Sequence, residues 1–341
     1  KLPAVWWQRS GSKNNMTMNQ SRLQPDRLRT EEAHRRIAAY IHRTPLLSSR
    51  NINQLLGAEL WFKCENFQKA GAFKSRGACN AVFSLSEKEA SRGVCTHSSG
   101  NHAQALARAA GLRSISAHIV MPSNAPAVKV NAVKHYGGII TFCEPTLEAR
   151  ESMLSGIRET TGAVEIHPYN HPDVIYGQST CAKEVFEDLD VQPDIIITPV
   201  GGGGLLTGTC LSTRIWAPGT LVMAAEPEGA DDAFRSFTSG VLVPSENPKT
   251  IADGLLTSLG SLTWPVIRDE VAAIHTVPDE LIVQAMKLLM ERMKLVVEPS
   301  AAVTLAALLK MHQNPEGNPF RGKKVVLVLS GGNVDVSRLP F

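Results

Sequence analysis

No stretch of this chain stays apolar for the roughly 20 residues of a helical membrane span, which excludes an integral helical membrane protein. An excess of one charge is missing too: 35 Lys and Arg against 32 Asp and Glu leave a net +3. No basic tract is interleaved with aromatics, so nucleic acid is excluded as a partner. Cysteine is sparse: Cys64, Cys79, Cys95, Cys143, Cys181 and Cys210 show neither CxxC nor CxxH spacing. Their mostly apolar surroundings predict reduced, buried thiols and a cytoplasmic location. Neither the P-loop pattern nor G-x-G-x-x-G with a following acid occurs, so no nucleotide fingerprint is present. Repeats of solenoid period and low-complexity linkers are likewise absent.

What is present is an ordinary soluble composition, 43% apolar and 20% charged, in a chain long enough for two domains. The first residues, KLPAVWWQRSGSKNN, have no helical or strand period and lack the apolar core of a secretory signal. They precede Met16 and Met18, and residues 1–23 are read as an extension or tag outside the fold.

From there strands and helices alternate. Thr30 is the expected N-cap of a helix carrying Ala33, Ile37 and Ile41 on one face and ending before Thr44-Pro45. Short apolar strands are predicted at Leu60–Cys64, Gly93–Thr96, Ile115–Met121, Ile139–Phe142, Asp194–Pro199, Leu221–Ala225 and Val325–Leu329. Helices are predicted after most of them and at Asp279–Met293 and Pro299–Met311. Strands apolar throughout, alternating with helices, imply parallel sheets covered on both faces. In such sheets ligands bind beyond the carboxyl ends of the strands, so the loops there are where function is sought.

The stretch KAGAFKSRGACN, Lys69–Asn80, turns from a strand into a helix at Lys74. A lysine so placed, beside Phe73, can lose solvent, and desolvation lowers its pKa toward neutrality. That is what an amine needs to attack an aldehyde; on this stretch alone a solvated lysine at a helix start is the better reading, and the serine-glycine and tetraglycine motifs change it. Gly201, Gly202, Gly203 and Gly204 lie between a strand and a helix. Consecutive glycines let backbone N–H groups and the helix N-terminus converge on one anion, and a monophosphate fits better than a nucleotide. Ser98, Ser99, Gly100 and Asn101 occupy a similar turn and offer hydroxyls and amides to a carboxylate, although Asn101 reads equally well as a cap. His97 and His102 are not spaced as a metal pair and suit packing roles.

Taken together in order, AFKSRGA at 72–78, HSSGNHAQA at 97–105, GGGGL at 201–205 and SGGN at 330–333 resemble the fold-type II pyridoxal-phosphate enzymes. RTPLLSS at 43–49, TIADGL at 250–255 and ERMKLVVEPSAA at 291–302 narrow the resemblance to the serine racemase and serine/threonine dehydratase branch. It runs from about residue 29 to the end. It implies an α/β fold of two domains, the larger from 24–92 plus 171–341 and the smaller from 93–170. It implies that Lys74 binds the cofactor aldehyde, and that Gly201 to Gly204 with the amide of Leu205 hold its phosphate. Asn101 would meet the phenolic oxygen and Ser330 the pyridine nitrogen, with Phe73 and Gly254 beside the ring. Ser98, Ser99 and Asn101 would receive the substrate carboxylate, and Ser99 would be the second acid/base. A neutral hydroxyl at Ser330 cannot protonate the ring as an aspartate would, which favours elimination of a β-hydroxyl.

Glu226-Pro-Glu-Gly-Ala230-Asp231-Asp232 resembles the divalent-cation loop of the racemases, with Glu226, the Ala230 carbonyl and Asp232 as hard ligands for Mg²⁺, Ca²⁺ or Mn²⁺; spacing alone would suggest a solvated acidic loop. The loop at 167–172 carries Tyr169 where vertebrate racemases usually have asparagine. The expected activity is racemisation of serine together with its dehydration to pyruvate and ammonia, by a homodimer. Dehydration of threonine or 3-hydroxyaspartate is the rival, and a catalytically inactive cofactor-binding protein the remote one. No regulatory domain is expected after Phe341, and the nucleotide effector known in some racemases of this branch is assigned to no residue.

Overall fold

Along Lys324–Leu329, the most apolar of the strands, side chains alternate between two cores. Val325, Leu327 and Leu329 face one, and Val326 and Val328 face the other. That two-sided burial is what a strand inside a helix-covered parallel sheet requires. The computed structural model describes residues 22–98, 100–314 and 317–341. Its strands are β1 (Leu46–Leu47), β2 (Glu59–Cys64), β3 (Val94–His97), β4 (Ala117–Pro122) and β5 (Ile139–Cys143). They continue with β6 (Val164–Glu165), β7 (Ile195–Pro199), β8 (Leu221–Pro227), β9 (Ala273–Val277) and β10 (Lys324–Leu329). Six form one sheet in the order β1-β2-β10-β7-β8-β9, parallel except for β1, and four form another in the order β5-β4-β3-β6, all parallel.

The helices of the first half are α1 (Arg27–Ile37), α2 (Arg50–Leu56), α3 (Lys74–Ser84), α4 (Glu87–Ala90), α5 (Asn101–Leu112), α6 (Ala127–His135) and α7 (Leu147–Thr161). Those of the second half are α8 (Pro172–Asp188), α9 (Gly204–Trp216), α10 (Asp232–Ser239), α11 (Trp264–Glu270), α12 (Asp279–Met293) and α13 (Pro299–His312). Residues from α2, α12 and α13 pack on one face of the larger sheet, and residues from α8, α9 and α11 on the other. A third core joins α3 and α5 to one face of the smaller sheet through Val94, Ile119 and Met121. Cys95, Val120 and Cys143 point the other way, toward α7.

Three expectations need correction. The cap of α1 is Asp26, whose carboxylate accepts from the Arg29 amide; Thr30 is buried inside the helix and its hydroxyl donates to the Asp26 carbonyl. The aspartate lies nearer the chain's entry and outcompetes the threonine for the free amides of the first turn. The helix ends at Ile37, so Ile41 is buried from the following turn. Arg22 and Leu23, read as part of an extension, are tied to the fold. Arg22 pairs with Asp269 (2.8 Å) and Glu270 (3.0 Å), and Leu23 packs against the core between α8 and α9. The remaining residues of that stretch, 1–21, lie outside the described ones.

Candidate active site

The site is built around the crossing of α3 and α8. A Cβ placed on Gly177 would stand 2.6 Å from the Gly77 Cα and 2.7 Å from the Arg76 carbonyl oxygen, so only glycine lets the two helices approach this closely. Beneath the crossing lies a buried ion cluster. Arg76 donates to Glu65 (2.7 and 2.8 Å) and to Glu184 (2.7 and 2.8 Å), and Lys63 donates to Glu184 (2.6 Å) and to the Thr44 carbonyl (2.7 Å). Burial would raise the Glu184 carboxyl, but the Arg76 guanidinium and Lys63 hold it down to about 2. The cluster joins β2, α3 and α8, and so fixes the helix that begins at Lys74.

Lys74 is the first residue of α3. The Phe73 amide before it is held by the Ser330 carbonyl at the end of β10 (3.0 Å). The Lys74 ammonium donates to the Pro168 carbonyl (2.8 Å) and lies 5.2 and 5.9 Å from the ring centres of Phe73 and Tyr169. Burial lowers its pKa to about 8, against an opposing pull from the Glu298 carboxylate. Burial thus moves the amine toward, but not below, neutrality.

The segment 166–171 straps across from the small sheet to the glycine run. A Cβ on Gly202 would stand 2.3 Å from the Tyr169 ring, and one on Gly201 would stand 3.0 Å from the Leu255 Cα and 3.3 Å from the Gly254 carbonyl. Gly203 has φ +86°, and the Thr263 hydroxyl donates to the Gly202 carbonyl (2.9 Å), which pins the turn. Gly204 opens α9, followed by Leu205, so the first amides of that helix have no intrahelical acceptor and are free for an anion. The Gly254 amide donates to the Ser300 hydroxyl (3.0 Å), which ties this neighbour of the cradle to α13.

Asn101 is the first residue of α5 rather than its cap, which is Gly100. Its amide donates to both oxygens of Glu298 (2.9 and 3.1 Å), and its oxygen accepts from Asn333 (2.9 Å). Burial pushes the Glu298 carboxyl up to about 7, despite the Asn101 hydrogen bond. Ser330 is buried at the end of β10, and Ser98 follows β3 with its hydroxyl accepting from the Gly100 amide (3.3 Å). Ser99 lies outside the described residues. His102 is buried and donates from Nε2 to the Ile166 carbonyl (2.9 Å), so it packs and supports the strap.

Sequence reasoning passed over Glu298, Pro168 and Arg150. The first sits unmarked inside EPSAA, and a backbone carbonyl carries no sequence signal at all. Arg150 lies in the first turn of α7, beyond the carboxyl end of β5, with its Nε buried and unpartnered among the described residues. Its charge helps to depress the pKa of His97 at the end of β3, after burial, the largest cause.

Glu226 is the last residue but one of β8, Ala230 lies in the turn after it and Asp232 begins α10. Both carboxylates are buried; Glu226 accepts from the Phe234 amide (2.6 Å), and one Asp232 oxygen has no partner. Burial, reinforced by their mutual repulsion, pushes Glu226 up to about 9, and burial pushes Asp232 up to about 6. The described residues hold no cluster of three His, Cys, Asp or Glu able to take a metal. Two carboxylates and a carbonyl are a different donor set, and the orphan oxygen fits a hard cation.

The residues present fit pyridoxal phosphate: Lys74 is a half-buried amine of lowered pKa, and the Tyr169 ring 5.9 Å from it packs on a glycine turn too tight for side chains. The chain matches the family described as pyridoxal-phosphate dependent enzyme over residues 37–331. It is 51% identical over 309 residues to the beta-hydroxyaspartate dehydratase of Paracoccus denitrificans, covering 91% of this chain and 96% of that protein. It is 51% identical over 312 residues to the serine racemase of Dictyostelium discoideum, covering 91% and 95%. The solved structure of maize serine racemase superposes with a TM-score of 0.89 at 47% identity, covering 92% of this chain and 95% of that one. The chain belongs to the pyridoxal-phosphate dependent enzymes, in their serine racemase and serine/threonine dehydratase branch.

Proposed function

We propose that this enzyme racemises serine and eliminates water from it to give pyruvate and ammonia. The observation that carries the reading is the Lys74 amine, lowered by burial to about 8, donating to the Pro168 carbonyl and lying 5.9 Å from the ring of Tyr169, which packs on Gly202. When bound, pyridoxal phosphate supplies the electron sink that makes the α-proton of an amino acid removable. Lys74 then takes or returns that proton on one face. The Gly201–Gly204 amides and that of Leu205 would hold the phosphate, Phe73 and Gly254 would lie beside the ring, and the Ser330 hydroxyl would serve its nitrogen. The Asn101 amide, which donates to Glu298, would meet the phenolic oxygen, and Ser98, Ser99 and Asn101 would receive the substrate carboxylate. Ser99 serves the opposite face, because one group returns a proton only to the side it reaches.

The wider proposal is a cytoplasmic homodimer in which residues 93–170 form the small domain. Glu226, the Ala230 carbonyl and Asp232 bind Mg²⁺. The buried free cysteines among the described residues support a reducing compartment.

Ser99→Ala tests the assignment. Interconversion of the serine enantiomers and elimination from D-serine should be lost, while elimination from L-serine survives in part. Pyruvate release from each enantiomer and chiral analysis of the remainder measure this; normal racemisation would place the second base elsewhere.

Dehydration of 3-hydroxyaspartate is the second reading, and Arg150 favours it. A half-buried guanidinium with an unpartnered Nε, beyond the carboxyl end of β5, suits a second carboxylate. Arg150→Met should then lower kcat/KM for 3-hydroxyaspartate at least tenfold more than for serine. Equal losses on both substrates would remove this reading.

A further inference from the structure

The strap that meets Lys74 carries a turn built by one imidazole. His167 Nδ1 accepts from the Asn170 amide (2.9 Å) and from the Tyr169 amide (3.3 Å). A ring nitrogen that accepts carries no proton, so His167 is neutral with its proton on Nε2. Its surroundings agree. The ring is half-buried, edge-on to Tyr169 at 4.6 Å and to His97 at 6.3 Å, and burial with the nearby His97, Lys74 and His171 holds its pKa down to about 4. Pro168 sits between the ring and the two amides that it binds, and the Pro168 carbonyl is where Lys74 donates. Tyr169, next in line, lies on Gly202, and Asn170 is held from the far side by the Leu262 amide (2.8 Å).

We propose that His167 is a positioning residue: through Nδ1 it folds the 167–170 turn that aims the Pro168 carbonyl at Lys74 and lays Tyr169 over the glycine cradle. The turn keeps water from Lys74 and so sets the acidity of the amine. This rests on the reading of Lys74 as the cofactor-binding lysine, which borohydride trapping of pyridoxal phosphate on Lys74 tests separately.

The geometry makes a discriminating pair of variants available. Asparagine places an oxygen near the position of Nδ1 and forms the same kind of turn with the amide two residues on, whereas glutamine places its polar end where Nε2 lies. In the full-length protein freed of cofactor, the pH dependence of Lys74 acylation by an amine-reactive reagent is followed by peptide mass spectrometry. Wild type and His167→Asn should titrate near the same value. His167→Gln and His167→Ala should shift upward by about one unit as solvent reaches the amine, toward the ordinary lysine value of ~10.4. Rates of pyridoxal phosphate rebinding should fall in the same two variants and recover in His167→Asn. No shift in Gln and Ala, or a shift in Asn equal to theirs, overturns the proposal. A second measurement needs no variant: ¹⁵N spectra of the wild-type imidazoles at pH 7 should show His167 neutral with Nε2 protonated. A protonated Nδ1 overturns the proposal outright.

Discussion

At Lys74 two influences oppose each other, because burial lowers the amine to about 8 while the Glu298 carboxylate pulls it back up. Only the unprotonated amine attacks an aldehyde. Attachment of pyridoxal phosphate to the cofactor-free protein should therefore accelerate about tenfold per pH unit up to pH 8 and then level off. Glu298→Gln removes the opposing charge and keeps the Asn101 amide partnered, so the midpoint should move below 8. A midpoint unmoved in stopped-flow absorbance would show that Glu298 does not act on Lys74. The lysine was legible in sequence only together with the serine-glycine and tetraglycine motifs, because a loop-to-helix turn beside Phe73 is by itself a place for a solvated lysine. Glu298 was not, since its role depends on reaching Asn101 from 197 positions away in the chain.

Among the elements, the glycine cradle and the acidic loop make opposite demands. The cradle works by having no side chains. Gly202→Ala puts a methyl 2.3 Å from the Tyr169 ring, so affinity for pyridoxal phosphate should fall while the fold stays intact. Tyr169→Ala in the same chain should restore part of it, and equilibrium dialysis with circular dichroism separates the two effects. The acidic loop holds carboxyl groups whose ionisation burial resists. Glu226 is raised to about 9 from 4.5 and Asp232 to about 6 from 3.8, so in metal-free protein their favourable contribution is full only below those ordinary values and is lost as the pH rises toward 9. The melting temperature of chelator-treated protein should accordingly fall as pH rises across this range, and Glu226→Gln should flatten the slope. Mg²⁺ should raise it most at high pH, where both carboxylates are ionised. A slope unaffected by Mg²⁺ would remove the metal from this loop. The sequence announced both loops by position after a strand, but short elements such as α10, α11, β6 and β9 escaped, being too brief to show a hydrophobic period.

In the whole molecule, the larger sheet and its covering helices were readable because β7, β8 and β10 are apolar on both faces. What the sequence could not show is the charge beneath α3. Arg76, Glu65, Glu184 and Lys63 are buried together, and removing one partner strands another. Arg76→Met should cost about 3–5 kcal/mol in urea unfolding, far more than loss of an exposed pair. A loss under about 1 kcal/mol would mean that the cluster relaxes or hydrates. The close crossing above it has a consequence for how this sequence can diverge. Overcrowding in a core is commonly relieved by a smaller residue opposite, but Gly77 and Gly177 face each other, and neither has anything left to remove. A methyl at either site meets backbone, which no second substitution can trim. Lineages descending from this chain can drift around the two positions but cannot trade one for the other, so both glycines should persist after most of α3 and α8 has changed.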